Sequence, residues 1–590
     1  MIFHGLTKAC FPEKARLTRV PIRKGVLTVQ LRQIHNKSFP IQESSHSHIG
    51  ESVRNLCGRL VFDYTESVIQ GELFVRDTML GVTTPLQTHQ RSSDLPRAHR
   101  CTHFADSKSC RAHEYSMCTA YLNNCFCLPG CDKRKGMTFL REWTHGLKAA
   151  LLIALLAGGV LHNARAEDNG LERTPVLGWS SWSFLRKQPT ADRMKAQALA
   201  LHNSGLQEIG YAYINLDDFW YQCPGPQGPN VDAYGRWITD PSKFPPQGDT
   251  DGMKVVADYV HSLGMKFGIY VTPGISRQAV NRNTPIKGTS YTAAQIAEPS
   301  VKENNYNCKG MVRIDYSKPG AHEYTNSWVD MLAAWGVDYI KIDGMTDSNA
   351  ADVKAWSDAV RQSGRPMVLD VTQGDLTTAI APTLMKYANQ WEFAPDVECY
   401  RCEKGGSSYP LTSWADVAKR FNYVAEWQPY AGPGAFNDYD SLEVGNGSND
   451  GLTPIERQTQ ISLWALGAAP LILGVDLTHL DPTDLKYLEN SAVLAVDQDS
   501  IAAKRVLNTG NQQVFAKTEP EPNGGTIVGL FNTGGKAEEV SIPASAVGLP
   551  ESESGYSLHD LWTGETKKTS STISAMVPSH GVVLYRVRGL

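Results

Sequence analysis

Acidic side chains stand at the ends of several short apolar runs, where they could take part in chemistry. Asp343 ends one such run, Asp217 and Asp218 follow an earlier one, and Asp396 lies just past a later one. Retaining glycoside hydrolysis requires two carboxylates: one attacks the anomeric carbon, and the other protonates the departing oxygen and then activates water. Strand tips in a parallel barrel can face each other across its mouth, which makes Asp343 and Asp396 a candidate catalytic pair.

The adjacent acids Asp217 and Asp218 need compensation, since two neighbouring carboxylates repel each other and cost stability. A metal ion, buried basic groups or a polyhydroxylated ligand could each provide it. Lys341 precedes Asp343 by two residues, so the alternation of a strand places both side chains on one face. The sequence leaves the three kinds of compensation open.

Tryptophans accompany these acids at the predicted strand tips. Trp179, Trp182, Trp220 and Trp391 all belong to this group. Carboxylates accept hydrogen bonds from sugar hydroxyls, and an indole stacks on the C–H face of a pyranose ring, so the combination favours a carbohydrate site. A single acidic residue at the end of a strand more often forms a turn, but here several predicted strands end in acidic residues, which favours a shared site.

Two other classes of protein use similar residues. A barrel that binds carbohydrate without hydrolysing it predicts the loss of one carboxylate, whereas Asp343 and Asp396 are both present. A metal-dependent hydrolase with Asp217 and Asp218 as ligands requires histidines at other strand tips, and the sequence has none there. We therefore expect no metal or other cofactor. The net charge of −4 does not favour nucleic acid, which leaves an oligosaccharide or polysaccharide as the expected partner.

Strand-like and helical segments alternate from Leu171 onwards. The predicted strands are Val176–Trp179, Tyr211–Leu216, Lys266–Val271, Val337–Ile342, Met367–Val371, Gln390–Ala394, Gly434–Phe436 and Leu471–Leu473. The predicted helices are Ala191–Ser204, Met253–Leu263, Ala321–Trp335, Ala350–Arg361, Leu376–Tyr387, Ser413–Ala425 and Pro454–Leu466. Eight strands separated by helices indicate an α/β protein with a (β/α)8 TIM barrel over residues 167–500. An open doubly wound sheet is the alternative, but no G-x-G-x-x-G motif follows an early strand.

Two segments depart from this alternation. Residues Gly274–Lys318 have little periodicity, and loops of this length are usually functional, often as pocket walls or lids. Residues 501–590 show short alternating runs separated by turns, which predicts a C-terminal antiparallel β-sandwich domain. Its predicted strands are Gln513–Lys517, Thr526–Phe531, Glu539–Ile542, Tyr556–Leu561 and Val582–Val587.

The first 166 residues have a different composition. Residues 1–136 hold eight of the twelve cysteines and lack sustained periodicity. After Met137, a basic flank, the apolar run Ala149–Leu161 and the small residues Ala164 and Ala166 are typical of a signal peptide over residues 137–166. We therefore expect translation to start at Met137, with residues 1–136 an over-extended reading frame or a disordered extension. A cysteine-rich domain followed by a membrane anchor is the alternative, but the apolar run is short for a bilayer.

A signal peptide predicts a secreted or periplasmic protein that is free of the membrane after cleavage. The mature chain would keep Cys223, Cys308, Cys399 and Cys402 in an oxidising compartment, where disulfides form. Four cysteines allow three pairings, and their spacing does not choose among them. A zinc site is the alternative, but one C-x2-C with two distant cysteines is weak zinc spacing.

Several segments around the acids resemble glycoside hydrolase family 27, the α-galactosidases and their relatives. In chain order these are Leu177–Trp182, Tyr211–Trp220, Trp335–Asp343, Gly434–Asp438 and Ala495–Asp499. The resemblance in sequence covers about Leu171 to Val506. The predicted C-terminal sandwich also matches the architecture of the family. It implies a retaining glycoside hydrolase, foremost an α-galactosidase that releases terminal α-galactose. An isomaltose-releasing α-glucan exo-hydrolase and a β-L-arabinopyranosidase are the alternatives within the family.

The resemblance also implies roles for individual residues. Asp343 would be the nucleophile and Asp396 the general acid/base. Asp217 and Asp218 would hold the hydroxyls at carbons 4 and 6 of a galactose-like ring, and Lys341 would help to hold the 3-hydroxyl.

The chain departs from the family pattern on the 2-hydroxyl side of the sugar. Trp179 would line the pocket as in the family, but Thr372 lies in a run that replaces the usual Cys-Glu-Trp, and Glu392, after Trp391, replaces the usual Arg. Exchanging a guanidinium for a carboxylate inverts the local charge. The resemblance therefore carries over the catalytic pair but not the identity of the sugar.

Two disulfides of the family are also missing from the pattern. Phe219 and Met345 stand where the family has cysteines, after the second aspartate of the pair and after the nucleophile. The pairing of the cysteines in this chain therefore does not follow from the resemblance.

Overall fold

The computed structural model describes residues 169–403, 405–522 and 524–590. The expectations for the extension 1–136 and for the signal peptide 137–166 fall outside these ranges. Within the described ranges, no helix combines the length and the apolar character needed to cross a bilayer.

Eight parallel strands form a barrel at the centre of the described chain. Before residue 500 the strands, numbered in chain order, are β1 (Leu177–Ser180), β2 (Tyr211–Leu216), β3 (Lys266–Val271), β4 (Ile275–Ser276), β5 (Ala297–Glu303), β6 (Met311–Ile314), β7 (Tyr339–Asp343), β8 (Val368–Thr372), β9 (Gln390–Glu392), β10 (Phe436–Asp438) and β11 (Leu471–Leu473). The barrel strands follow the order β10-β9-β8-β7-β3-β2-β1-β11. Beyond β10, the Leu442 N–H donates to the Ile472 carbonyl over 2.8 Å, and Leu442 forms a parallel bridge with Leu473, which closes the sheet. The predicted barrel is confirmed.

Helices separate the barrel strands. They span Trp182–Leu185, Ala191–Asn203, Gly252–Ser262, Arg277–Arg282, Ala293–Ile296, Ala321–Trp335, Ala350–Ser363, Ala381–Tyr387, Trp414–Trp427, Pro454–Leu466, Pro482–Leu488 and Ser491–Gln498. The helix Ala321–Trp335 buries Trp328, Val329 and Leu332 on one face, because apolar residues recur at helical spacing. Gly336 then ends it with φ 86°, a conformation that favours glycine, and the chain turns into β7.

For the eight strands of the barrel, the differences from prediction concern their ends. The strand predicted at Gly434–Phe436 instead spans Phe436–Asp438, because Gly434 lies in a turn with φ 80°. Asn437, inside this strand, is fully buried and donates from Nδ2 to the Trp427 carbonyl over 2.8 Å. An apolar pattern does not predict such a position, since tertiary hydrogen bonds are what make a buried polar residue favourable.

The insertion Gly274–Lys318 has secondary structure of its own. Strands β4, β6 and β5 form a three-stranded antiparallel sheet, with the short helices Arg277–Arg282 and Ala293–Ile296 between β4 and β5. A disulfide joins Cys308 in the insertion to Cys223 after β2. The weak periodicity of the segment reflects the shortness of its elements.

The C-terminal region is an antiparallel β-structure, which confirms the predicted sandwich. Its strands are β12 (Lys504–Thr509), β13 (Gln512–Thr518), β14 (Thr526–Asn532), β15 (Glu538–Pro543), β16 (Tyr556–Asp560), β17 (Thr566–Thr569), β18 (Thr572–Val577) and β19 (Val582–Gly589). A six-stranded sheet of order β12-β13-β14-β19-β16-β17 lies beside the pair β15-β18. β12, β17 and β18 were not predicted: β12 and β17 bury none of their residues, and β18 buries only Ile573 and Val577.

The sandwich packs on the barrel through an aromatic cluster and a buried lysine. Phe421 of the barrel contacts the rings of Phe515 and Phe531 at centroid distances of 6.2 and 5.1 Å. The Lys517 ammonium, almost fully buried, donates to Asp499 Oδ1 and to the Ile501 carbonyl, both over 2.7 Å. A buried charge needs such partners, so this contact helps to hold the sandwich against the barrel.

Candidate active site

A pocket opens at the carboxyl ends of the barrel strands, the end at which parallel barrels carry their active sites. It encloses about 480 Å³, including space open to solvent. Its lining residues are Ser180, Trp182, Asn215, Leu216, Asp217, Ile269, Tyr339, Lys341, Asp370, Glu392, Asp438, Asp440, Ser441 and Ile472. Five of these side chains are acidic and only Lys341 is a full cation, so the pocket is electronegative.

Asp343 ends β7, two residues beyond Lys341, which lines this pocket. Its Oδ2 accepts a hydrogen bond from the Tyr270 hydroxyl at 3.0 Å, and its Oδ1 accepts one from the next backbone N–H at 2.7 Å. Burial raises the pKa of Asp343 to about 7; Lys341 opposes the rise, while Asp217 and Asp396 add to it. Because hydrogen bonds fix both oxygens of Asp343, the ionised carboxylate is suited to nucleophilic attack.

Lys341 compensates the first of the two adjacent acids. Its Nζ donates to Asp217 Oδ2 over 3.0 Å. Burial disfavours the charged lysine, yet Asp217, Glu392 and Asp343 together raise the pKa of Lys341 well above its ordinary value. Of the three kinds of compensation left open by the sequence, a buried basic group is therefore present at Asp217.

The insertion supplies the partner of the second acid. Asp218 is almost fully buried, and its Oδ2 accepts a hydrogen bond from Asn307 Nδ2 at 2.5 Å. Burial raises the pKa of Asp218, and the bond from Asn307 lowers it. Asn307 directly precedes Cys308, which the disulfide ties to Cys223. The insertion thus contacts Asp218, one of the acids predicted to bind substrate, although none of the insertion's residues lines the pocket.

Asp396 lies past β9 on the exposed rim of the pocket. The Tyr400 hydroxyl donates to Asp396 Oδ2, and the Tyr400 oxygen accepts a hydrogen bond from Trp182 Nε1 over 2.7 Å. Partial burial and the neighbouring Asp440 raise the pKa of Asp396, whereas Tyr400 and Lys341 lower it. A raised pKa suits a carboxyl group that has to deliver a proton.

Three carboxylates crowd together on this side of the pocket. One oxygen of each of Glu392, Asp396 and Asp440 lies within 4.8 Å of the others. Burial and Asp440 raise the pKa of Glu392 well above its ordinary value. Arg420 Nη2 lies 3.7 Å from Asp440 Oδ2. A proton shared among the three carboxylates would reduce their mutual repulsion. Their oxygens are also close enough together to hold a cation.

Two tryptophans expected in the pocket lie behind its wall instead. Trp179 is fully buried and its Nε1 donates to a backbone carbonyl over 2.7 Å. Trp391 is also fully buried and donates to Asn437 Oδ1 over 2.9 Å. Side chains alternate along a strand, so the neighbours Ser180 and Glu392 face the pocket. The structure corrects the expectation that Trp179 and Trp391 line it.

Thr372 ends β8 level with Asp343 and Glu392 and joins them to a polar network that continues down the barrel. Its Oγ1 donates to Asp370 Oδ2 over 3.3 Å, and the Tyr339 hydroxyl donates to the same oxygen over 2.9 Å. Gln390 Nε2 then donates to the Tyr339 oxygen over 2.6 Å and to Asp438 Oδ2 over 3.1 Å. The network forms the floor beneath the acids of the mouth.

Trp182 lines the pocket as expected, whereas the aromatic residues that contact it or the candidate acids were not singled out by the sequence for this role. Trp182 lines the pocket and stacks on Phe219 with a centroid distance of 6.4 Å and an interplanar angle of 8°. Tyr270 and Tyr400 hold the two candidate catalytic acids. The available signal was position: Tyr270 sits near the end of a predicted strand, and Tyr400 lies between two cysteines.

A closed parallel barrel with carboxylates from several strands gathered at its mouth defines a barrel glycoside hydrolase. The chain belongs to the α-galactosidase family: the family described as "Alpha galactosidase A" matches residues 174–298 and 278–499, and the family's C-terminal β-sandwich domain matches residues 509–587.

Relatives and solved structures agree with this assignment. A probable α-galactosidase of Dictyostelium discoideum is 30% identical over 451 residues, which cover 74% of this chain and 97% of that protein. The GH27 β-L-arabinopyranosidase of Geobacillus stearothermophilus is similar in structure, with a TM-score of 0.64, 27% identity and coverage of 72% of this chain and 100% of that one. For α-galactosidase I of Mortierella vinacea the TM-score is 0.56, with 26% identity and coverage of 72% and 98%.

Proposed function

We propose that the protein is an exported, retaining glycosidase that releases terminal α-galactose, with Asp343 as nucleophile and Asp396 as general acid/base. The observation that carries this proposal is the pair itself, because both carboxyl groups lie beside residues that line one pocket. Asp343 follows Lys341 by two residues, and Asp396 lies next to Glu392 and Asp440. Each of the two accepts a hydrogen bond from a tyrosine hydroxyl. Each group has a raised pKa, and the charge of Asp396 contributes to the raised pKa of Asp343.

The reaction proceeds in two displacements. The ionised Asp343 attacks the anomeric carbon while Asp396 transfers its proton to the departing glycosidic oxygen. Asp396, now a carboxylate, then takes a proton from water, which attacks the anomeric carbon and breaks the bond to Asp343. Two inversions leave the released sugar with its original anomeric configuration.

The sugar would lie among the other acids of the mouth. Asp217, Asp218 and Lys341 would hold the hydroxyls on one side of the ring. Glu392 lines the pocket on the other side and accepts rather than donates hydrogen bonds when it is ionised. Thr372 and Trp391 would act from behind this wall, by fixing Asp370 and the strand that carries Glu392.

A β-L-arabinopyranosidase is the second candidate. The solved enzyme of that activity reaches a higher TM-score than the Mortierella α-galactosidase, 0.64 against 0.56. Its sugar shares the axial hydroxyl pattern of galactose, so the same aspartates and lysine would hold it. The two activities differ in whether the pocket accommodates the sixth carbon.

Rates of hydrolysis of matched aryl glycosides test the proposal. The chain from Glu167 to Leu590 is assayed on α-galactoside, β-L-arabinopyranoside and α-glucoside with one leaving group. Highest kcat/KM on the galactoside supports the α-galactosidase, and a preference for the arabinopyranoside supports the second candidate. A preference for the glucoside contradicts both. Proton NMR of the first product formed decides whether the anomeric configuration is retained.

Export is proposed from the signal-like segment, and the two disulfides Cys223–Cys308 and Cys399–Cys402 support it, because disulfides persist in oxidising compartments. N-terminal sequencing of the protein recovered outside the cytoplasm tests this. A start near Glu167 is expected, and a start within residues 1–136 would contradict it.

A further inference from the structure

Tyr400 joins the candidate acid to the aromatic wall of the pocket. Its hydroxyl donates to Asp396 Oδ2 and accepts from Trp182 Nε1 over 2.7 Å. The Tyr400 hydroxyl therefore donates its one proton to Asp396, and its oxygen accepts the proton of the Trp182 indole. The ring itself is 44% exposed, so apolar burial does not explain its position.

A small set of contacts holds Tyr400 in this place. The Arg186 guanidinium lies 4.8 Å from the centre of the Tyr400 ring. Arg186 is in turn held by Glu403 Oε1 at 2.9 Å and by Glu398 Oε1 at 3.5 Å. The disulfide Cys399–Cys402 closes a four-residue ring that contains Tyr400. An exposed loop without this closure would sample many conformations.

We propose that Tyr400 is a positioning residue for the Asp396 carboxyl group, and that the Cys399–Cys402 disulfide keeps it there, which makes the site sensitive to reduction. The inference rests on the proposed role of Asp396 as general acid/base. It extends the hydrogen bond described above to a role for the loop and its disulfide, which lie outside the pocket lining.

The hydrogen bond from Tyr400 matters because both negatively and positively charged groups surround Asp396. The titratable and charged groups that face it are Asp343 and Lys341 on β7, Glu392 on β9, Glu398 and Tyr400 in its own loop, Tyr306 in the insertion, Arg420 on the helix Trp414–Trp427, and Asp440 after β10. Four of these eight groups are carboxylates, and their negative charge favours the protonated form of Asp396. The Tyr400 hydroxyl favours the carboxylate, which the second displacement needs as a base.

Reduction would release the loop by ordinary thiol chemistry. A thiolate of dithiothreitol attacks a sulfur of the disulfide; Cys402 is partly exposed, whereas Cys399 is fully buried. The second thiol of dithiothreitol closes the cyclic disulfide and frees the cysteine. Two electrons and two protons thus pass to the protein, which gains two thiols while dithiothreitol is oxidised.

The pH profile of kcat/KM on the preferred aryl glycoside tests the positioning role. In Tyr400→Phe the carboxylate loses a donor, so the alkaline limb is expected to move upward by about one pH unit, the effect of one hydrogen bond to a charged group. Tyr409→Phe is the matched control, because its hydroxyl donates to the neutral Asn446 over 2.7 Å. A limb in Tyr400→Phe that coincides with the control overturns the proposal.

The disulfide is tested separately. Cys399→Ser/Cys402→Ser is expected to show the upward-shifted limb without reductant and no further shift with dithiothreitol. Wild-type enzyme is expected to acquire the shift on reduction. Cys223→Ser/Cys308→Ser removes the other disulfide and is expected to keep the wild-type limb until dithiothreitol is added. A reduced wild-type enzyme with an unmoved limb contradicts the role of the Cys399–Cys402 disulfide.

Azide rescue separates a failure of this inference from a failure of the proposed function. Asp396→Ala is expected to lose at least about 10²-fold in rate on a poor leaving group and little on dinitrophenyl glycoside, with azide restoring turnover as a glycosyl azide. If azide restores nothing and both substrates are affected alike, Asp396 is not the acid/base. If azide rescues Asp396→Ala but Tyr400→Phe leaves the alkaline limb of the kcat/KM profile unchanged, the positioning role of Tyr400 is contradicted and the role of Asp396 is not.

Discussion

Lys341 and Asp217 form an ion pair of 3.0 Å across the barrel mouth, although they lie 124 residues apart in the chain. Asp217 also interacts electrostatically with Asp343, so the lysine lies within an acidic group that includes the candidate nucleophile. Removing a charge from such a group changes the protonation of its neighbours. Several measurable consequences follow from this relationship and from the contacts around it.

Replacing the proposed nucleophile is expected to abolish hydrolysis. Asp343→Asn keeps the shape of the side chain but cannot form the glycosyl intermediate, so kcat is expected to fall by roughly 10⁴-fold or more. Steady-state kinetics on the aryl glycoside measure this, with circular dichroism as a check on the fold. Turnover near the wild-type rate would contradict the assignment.

The same variant is expected to be more stable than the wild type at alkaline pH. Because the pKa of Asp343 is raised to about 7 in the folded protein, its ionisation costs stability as the pH rises from about 4 to 7. Asp343→Asn removes that cost, so its Tm should exceed that of the wild type by a few degrees at pH 8 and match it at pH 4. An equal difference at both pH values would show that ionisation is not the cause.

The acid limb of the pH profile should lie near neutrality. The nucleophile acts only when ionised, and the profile of kcat/KM reports the free enzyme, so the limb is expected at about pH 7, the pKa of Asp343. Initial rates between pH 4 and 10 locate it. A limb near pH 4 would mean that Asp343 titrates as an ordinary surface carboxyl group.

Breaking the ion pair at the mouth costs stability. Lys341→Met leaves Asp217 buried without its partner, and we expect the free energy of unfolding to fall by about 2–3 kcal/mol. The figure stays below that for a fully buried pair because the Lys341 side chain is 23% exposed. Urea unfolding measures the loss. In the control Asp217→Asn/Lys341→Met, most of it should be recovered; an additive further loss would contradict the pairing.

The disulfide of the insertion supports substrate binding. Cys223→Ser/Cys308→Ser removes a closure that spans 85 residues and should lower the free energy of unfolding by about 2–4 kcal/mol. Because Asn307 next to Cys308 would then hold Asp218 less firmly, KM is expected to rise while kcat is largely retained. A loss confined to kcat would place the insertion outside substrate binding.

Much of the barrel followed from local pattern. Buried apolar runs such as Tyr211–Leu216 and Lys266–Val271 were predicted at their observed ends, because strand propensity and the core face of the barrel select the same residues. The ends shifted where buried polar residues complete a strand, as at Asn437. Such positions are stabilised by partners that are distant in the chain.

The site was predictable in part for the same reason. Asp343 and Asp217 end strands whose direction the sequence indicates, so their common mouth could be inferred. The side of the sheet that a residue faces was less certain. Trp179 and Trp391 have the chemistry of a sugar platform, but strand alternation in the folded barrel places Ser180 and Glu392 in the pocket and both indoles behind it.

The sequence by itself determined the barrel, the sandwich and the carboxylates available for chemistry, because periodicity and strand ends are properties of adjacent residues. Only the tertiary structure decided which groups surround those carboxylates: Asn307 on Asp218, Tyr270 on Asp343, and Trp182 on the Tyr400 hydroxyl beside Asp396. It also decided the disulfide pairing. These contacts depend on the closure of the barrel and the folding of the insertion, and no local pattern encodes a partner that distant segments bring within hydrogen-bonding distance.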